Sequence, residues 1–423
     1  MSKIILTTFG SLGDLHPKVA LGLGLRDRGH DVVFATHKEY RTKIESLGFE
    51  FHAIRPDNTA LEDAEIMARM MDAKKGTEYV IRDWIFANLR ETYTDLMNIA
   101  SGADFIVAGD GVVAARLVAE KLGMKWAFCA LSPASFCSAY DPPVLPIFSI
   151  LSKFRPLGLT VNRAVMNFAR WVSSPWVQPM YQLRQELGLP PVGHPVFEGK
   201  YSPYLVLALF SSVLAKPQPD WAPNTVITGF TFYDGKKEGT GLPVELQRFL
   251  DAGEPPIVFT LGSAVVRNPG SFYLESIQAA QQLNRRAVLL MGKNPSPKDL
   301  PESIIAVDYV PYSEIFPHAC AIAHQGGIGT TAQALRSGHP TLVIPYNHDQ
   351  PDNAARVERL GTSRTIQPKS YTTKRVVKEL SLLNNSRYTT SSAELGRILL
   401  AEDGVRVACD EIEKQLNDSP VRR

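Results

Sequence analysis

The chain has 423 residues, more than one ordinary hydrophobic core spans, so two large domains are expected. Its 45 Lys and Arg against 43 Asp and Glu leave a formal net charge of +2, which gives no whole-chain footprint for a phosphate polymer and argues against nucleic-acid binding. At 44% hydrophobic and 21% charged residues, the composition is that of a folded globular protein and not of a disordered chain.

The apolar run Ile4 to Phe9 is too short for a signal peptide, and no run reaches the roughly 18 apolar residues that span a bilayer. Cys129, Cys137, Cys320 and Cys409 include no pair at the spacing of a redox or zinc motif, and they fit a reducing cytosol. Short β-rich runs follow in order: Ile4 to Phe9, Asp31 to Thr36, Phe49 to Ile54, Phe105 to Ala108, Trp126 to Leu131 and Tyr204 to Phe210. Helical patterns lie between them, the first from Pro17 to Gly29, which predicts a parallel sheet covered on both faces. The alternation restarts at Ile257 to Leu261 and continues with Ala287 to Met291, Ile304 to Val310, Ala319 to Ala323 and Thr341 to Pro345. Two doubly wound α/β domains are the economical reading, joined by a linker at 234–240.

Residues 133–195 interrupt the first sheet with ten prolines and many aromatics, an insertion of the kind that is usually functional. Phe136, Tyr140, Phe148, Phe168 and Trp171 are the candidates there for an apolar ligand, and core packing is the alternative for each. Lys153, Arg155, Arg163 and Arg170 among apolar neighbours also fit weak contact with an anionic membrane surface, or simply a solvated face.

The most informative stretch is His324-Gln325-Gly326-Gly327-Ile328-Gly329-Thr330-Thr331, between a strand and a helix that runs to about Ser337. Glycines there let the backbone approach a ligand closely, and free amides at a helix start bind a phosphate; a ligand-free tight turn is the alternative. The next strand ends in Tyr346-Asn347-His348-Asp349-Gln350-Pro351. Asp349 can accept two hydroxyl hydrogen bonds, and Gln350 can donate and accept, a pair suited to a sugar.

Residues 324–350 resemble the donor-binding signature of family 1 glycosyltransferases of GT-B fold, in the form seen in sterol and bacterial natural-product enzymes. Gly10-Ser11-Leu12-Gly13-Asp14-Leu15-His16-Pro17 is similar to their first loop, and Leu261-Gly262-Ser263 and Asp308-Tyr309-Val310-Pro311 to two loops of their second domain. The resemblance implies two Rossmann-like domains facing across a cleft. Residues 1–233, with the insert, would bind a lipophilic hydroxylated acceptor; residues 241–402 would bind a nucleotide sugar, with UDP-glucose expected; residues 403–423 would return to pack on the first domain. It also implies that His324, Gly326, Gly327, Gly329 and Thr330 hold the diphosphate together with Ser263, that Asp349 and Gln350 hold the sugar, and that Tyr309 and Val310 cover the base.

The implied reaction is one inverting displacement by an acceptor hydroxyl, without metal or other cofactor and without an obligate protein partner. A general base must take the hydroxyl proton, and the leaving diphosphate must be stabilised. Asp14 stands where the resemblance puts the base, with a helix cap as its alternative role. His16 is the rival base. Asp110 corresponds to an acidic residue that orients a catalytic histidine in other members, or it forms a turn with Gly111. Two other functions share the architecture: a non-hydrolysing nucleotide-sugar epimerase, and a non-catalytic nucleotide-sugar-binding partner. The Asp349-Gln350 pair and the lipophilic insert disfavour the first, and Asp14 disfavours the second.

Overall fold

In a computed structural model that describes residues 1–56, 64–72, 74–144, 157–235 and 241–418, the chain forms two compact α/β units. The first comprises Met1–Phe232 with Asp403–Arg423, the second Tyr233–Glu402. The first sheet contains β1 (Lys3–Thr7), β2 (Asp31–Thr36), β3 (Glu50–Ala53), β4 (Phe105–Gly109), β5 (Lys125–Ala130), β6 (Leu205–Ala208) and β7 (Thr225–Ile227) in the order β3-β2-β1-β4-β5-β6-β7. The second contains β8 (Ile257–Thr260), β9 (Ala287–Leu290), β10 (Ile304–Val307), β11 (Ala321–His324), β12 (Thr341–Val343) and β13 (Ser363–Thr365) in the order β10-β9-β8-β11-β12-β13.

Every strand pair is parallel. That is why the strands are apolar without alternation: Ile4, Ile5 and Leu6 are all fully buried, as are Val258 and Phe259. Each such side chain stabilises the fold by about 1.5–3 kcal/mol of apolar burial. In both sheets the order reverses beside the first strand, between β1 and β4 and between β8 and β11. Loops leaving the carboxyl ends at those points are where doubly wound sheets hold ligands.

Helix α1 (Leu12–Asp27) opens at the end of β1. It begins earlier than the Pro17 start that the sequence suggests, because Ser11 caps it and Pro17 sits inside it. The helix Gly404–Asn417 packs on α1, with an ion pair from Arg28 to Asp410 (2.8 Å) and a hydrogen bond between His30 Nε2 and Glu413 (3.1 Å). Gly24 is required at that crossing, since a Cβ there would lie 2.7 Å from Val405 Cγ1. No helix among the described residues is long and apolar enough to cross a membrane.

Candidate active site

In the first unit the loop after β1 is built around Gly10, Ser11 and Asp14. The Ser11 hydroxyl accepts from Gly13 N–H (3.2 Å), and the Asp14 carboxylate accepts from Ser11 N–H (2.8 Å), a reciprocal capping box. Asp14 is therefore the third helical residue and not the cap itself. Gly10 has φ +114°, and a Cβ on it would lie 2.3 Å from Asp14 Oδ2, so the loop can pass only as glycine.

His16 projects elsewhere, its Nε2 2.7 Å from the Lys43 ammonium. Burial first, and then Lys43, lower the His16 pKa to about 3, so the ring is neutral and its Nε2 lone pair receives a proton donor already. Asp110, just beyond β4, accepts from Ser135 (2.5 Å) and from the Lys200 ammonium (2.7 Å). It anchors the insert through Ser135, and its hydrogen bonds among the described residues go to Ser135 and Lys200 and to no histidine.

The insert residues separate into two kinds. Phe136 is buried, stacked 3.9 Å from Trp221 and 5.8 Å from Tyr201, so it packs the core and does not present itself to a ligand. Tyr140, Phe168 and Trp171 are exposed, the last by 73%, with Phe168 and Trp171 on the helix Leu159–Ser173. Phe148 lies outside the described residues, as do Lys153 and Arg155. The aromatic residues that do gather at the β1 loop are Phe9, His37, Tyr40 and Trp84, which sequence reasoning missed. His37 directly follows β2, a carboxyl-end position that could have drawn attention; Trp84 lies in a stretch of π-helix (Tyr79–Phe86), for which no simple periodicity exists.

In the second unit His324 ends β11 with its side chain fully buried. Its Nδ1 accepts from Gly326 N–H (3.0 Å), which puts the ring proton on Nε2. Burial lowers its pKa to about 3, so the imidazole is neutral. Among the described residues Nε2 has no hydrogen-bond partner, which leaves a buried donor without an acceptor there. Gly326 makes the turn at φ +88°, where a Cβ would meet Val343 Cγ1 at 2.7 Å. The following helix, Ile328–Ser337, has Gly327 as N-cap and no side-chain cap, so the amides of Gly329 and Thr330 stay outside its hydrogen-bond ladder.

Asp349 stands beside that helix start. Its carboxylate accepts from Asn353 Nδ2 (2.7 Å) and from the Ile328 amide, yet desolvation outweighs both and raises its pKa to about 6. Gln350 uses its side-chain oxygen on the amides of Tyr346 (2.8 Å) and Asn347 (3.3 Å). Its acceptor thus shapes the turn, and its side-chain NH2 is what it can offer a ligand. Ser263 is exposed in the short helix Gly262–Val265 that follows β8, Tyr309 is 66% exposed, and Val310 is buried in the core beside Ile315 and Phe316. Gln325, unassigned from sequence, fills the space over Gly262, where a Cβ would lie 2.1 Å from its Nε2; it donates to Thr330 Oγ1 (3.3 Å), and its buried oxygen has no partner among the described residues.

Two parallel-sheet units with a glycine-rich strand-to-helix turn and an unpaired buried donor at the second switch point define an α/β protein equipped to bind an anion. Residues 4–126 match the model of the glycosyltransferase family 28 N-terminal domain, and residues 276–414 that of the erythromycin biosynthesis protein CIII-like C-terminal domain. The chain is 30% identical over 432 residues to the O-mycaminosyltylonolide 6-deoxyallosyltransferase of Streptomyces fradiae, covering 97% of each. It is 26% identical to a sterol 3-beta-glucosyltransferase of Arabidopsis thaliana, covering 98% of this chain and 66% of that protein. In structure it resembles the calicheamicin glycosyltransferase CalG4, with TM-score 0.74, 17% identity and full coverage of both chains. The chain belongs to the GT-B glycosyltransferases, among relatives that act on macrolides and sterols.

Proposed function

We propose that the chain transfers glucose from UDP-glucose to a hydroxyl of a lipophilic macrolide-like or sterol-like acceptor, with inversion at the anomeric carbon. The observation that carries this reading is the buried Nε2–H of His324, a donor with no acceptor among the described residues, at a glycine turn and a helix start whose Gly329 and Thr330 amides lie outside the ladder. A diphosphate oxygen supplies the missing acceptor, and the amides of Gly329 and Thr330 take further phosphate oxygens. Asp349 and the Gln350 side-chain NH2 then address the sugar hydroxyls.

Asp14 takes the acceptor proton as the hydroxyl oxygen attacks the anomeric carbon and the bond to the diphosphate oxygen breaks. His16 is the weaker candidate because its Nε2 already faces the Lys43 ammonium at 2.7 Å. The leaving diphosphate carries the departing electron pair, which the His324 N–H and the helix amides stabilise without being consumed. The test is incubation of the purified protein with UDP-glucose or dTDP-glucose and either cholesterol or a macrolide aglycone, followed by mass spectrometry and by NMR at the anomeric centre. A β-glucoside formed from the α-linked donor supports the proposal. Epimerised donor without glycoside would favour an epimerase, and binding without turnover a non-catalytic partner.

A further inference from the structure

Asp14 is held through its neighbour Gly10, and Gly10 is gripped on both sides by residues that the proposed chemistry does not use. The Gly10 N–H donates to His37 Nε2 (3.2 Å), and the Gly10 carbonyl accepts from the Tyr40 hydroxyl (2.9 Å). Both residues come from the connection just beyond β2, so a neighbouring strand sets the height of the β1 loop. His37 is fully buried, stacked on Phe9 at 4.6 Å and faced by Trp84 at 5.3 Å, and the Pro56 backbone engages it as well. Its ring therefore has little freedom to turn away from Gly10.

The grip reaches the carboxylate by two short links. Gly10 lies so close to Asp14 that no Cβ fits between them, and the next amide, Ser11 N–H, donates to Asp14 Oδ2. Any shift of the Gly10 peptide moves the Ser11 amide and with it the carboxylate oxygen. A general base works only within hydrogen-bond reach of its proton, and about 1 Å of misplacement can cost on the order of 100-fold in rate.

We infer that His37 and Tyr40 are positioning residues that fix the Asp14 carboxylate by clamping the Gly10 peptide between them. This rests on Asp14 being the base, and the test separates the two claims. His37→Leu, His37→Gln and Tyr40→Phe are made in the wild type and in Asp14→Asn, and turnover is followed with whichever pair glycosylates, UDP-glucose with cholesterol or dTDP-glucose with a macrolide aglycone. In the wild type, His37→Leu and Tyr40→Phe should lower kcat about 10- to 100-fold with donor KM within about twofold, and His37→Gln, whose amide oxygen can accept from Gly10, should recover most of the loss. In the Asp14→Asn background the same changes should have no further effect on kcat. Equal fold-losses in both backgrounds, or a Gln variant as impaired as Leu, would overturn the positioning role. Asp14→Asn with wild-type turnover would sink the base assignment instead. Independently of turnover, amide exchange at Ser11 should quicken at least tenfold in Tyr40→Phe and His37→Leu while β2 amides keep their rates; unchanged exchange at Ser11 would also overturn the inference.

Discussion

His324 ends β11, Asp349 accepts from the amide of Ile328, four residues further along the chain from His324, and the two ask different things of a sugar donor. His324 offers one hydrogen to an anion, so His324→Ala should weaken free UDP and UDP-glucose alike, by about 1.5–3 kcal/mol or roughly 10- to 100-fold, as read by calorimetry. Asp349 offers acceptors to sugar hydroxyls, so Asp349→Asn should spare UDP and weaken UDP-glucose. With a ligand-free pKa raised to about 6, Asp349 is ionised above that value and loses its acceptor capacity below it. UDP-glucose affinity should therefore fall as pH drops through about 6, and Asp349→Asn should abolish that dependence. The native carboxyl binds its proton more tightly than the unfolded one, so stability declines as pH rises between about 4 and 6, and the penalty persists at pH 7. Asp349→Asn should accordingly melt higher than the wild type at pH 7, and the gain should vanish below about pH 4. For Asp14→Asn the expectation is a fall in turnover of about 10²–10⁴ with both ligands still bound, checked by kcat beside donor affinity.

At the scale of elements, the candidate site residues sit on the loops and helix starts that follow strand ends. The sequence's glycine pattern announces the β11-to-helix turn because two of its glycines have a steric reason: Gly326 sits at positive φ against Val343, and a Cβ on Gly327 would lie 2.9 Å from Gln325 Nε2. Strands β7 and β13 escape a reading by apolar runs, since Thr225–Ile227 and Ser363–Thr365 are three-residue edge strands. The partner of Asp14 also escapes it: a Ser-x-x-Asp spacing signals a cap, but that Gly10 is clamped by His37 and Tyr40 depends on a strand 27 residues away. Where helix meets helix, the test is Gly24→Leu, which drives a side chain into Val405 and should unseat the helix Gly404–Asn417, lowering the melting temperature by several degrees in a thermal scan while leaving UDP affinity unchanged.

For the whole molecule, the α/β class and its duplication were readable because parallel strands buried on both faces must be apolar throughout. The aromatic insert was less readable, since aromatics serve cores and ligands equally well. Phe136 belongs to the core, so Phe136→Ala should cost about 3–5 kcal/mol of stability, whereas Trp171→Ala, at a position 73% exposed, should stay within about 0.5 kcal/mol. Any change in acceptor preference should then follow Trp171 and not Phe136. Whether the second unit holds a nucleotide diphosphate through His324 is read by a calorimetric titration of UDP into the wild type and His324→Ala. Saturable binding by the wild type, weakened about 10- to 100-fold in the variant, is the predicted result; equal binding by both proteins, or none by either with UDP or dTDP, would contradict it.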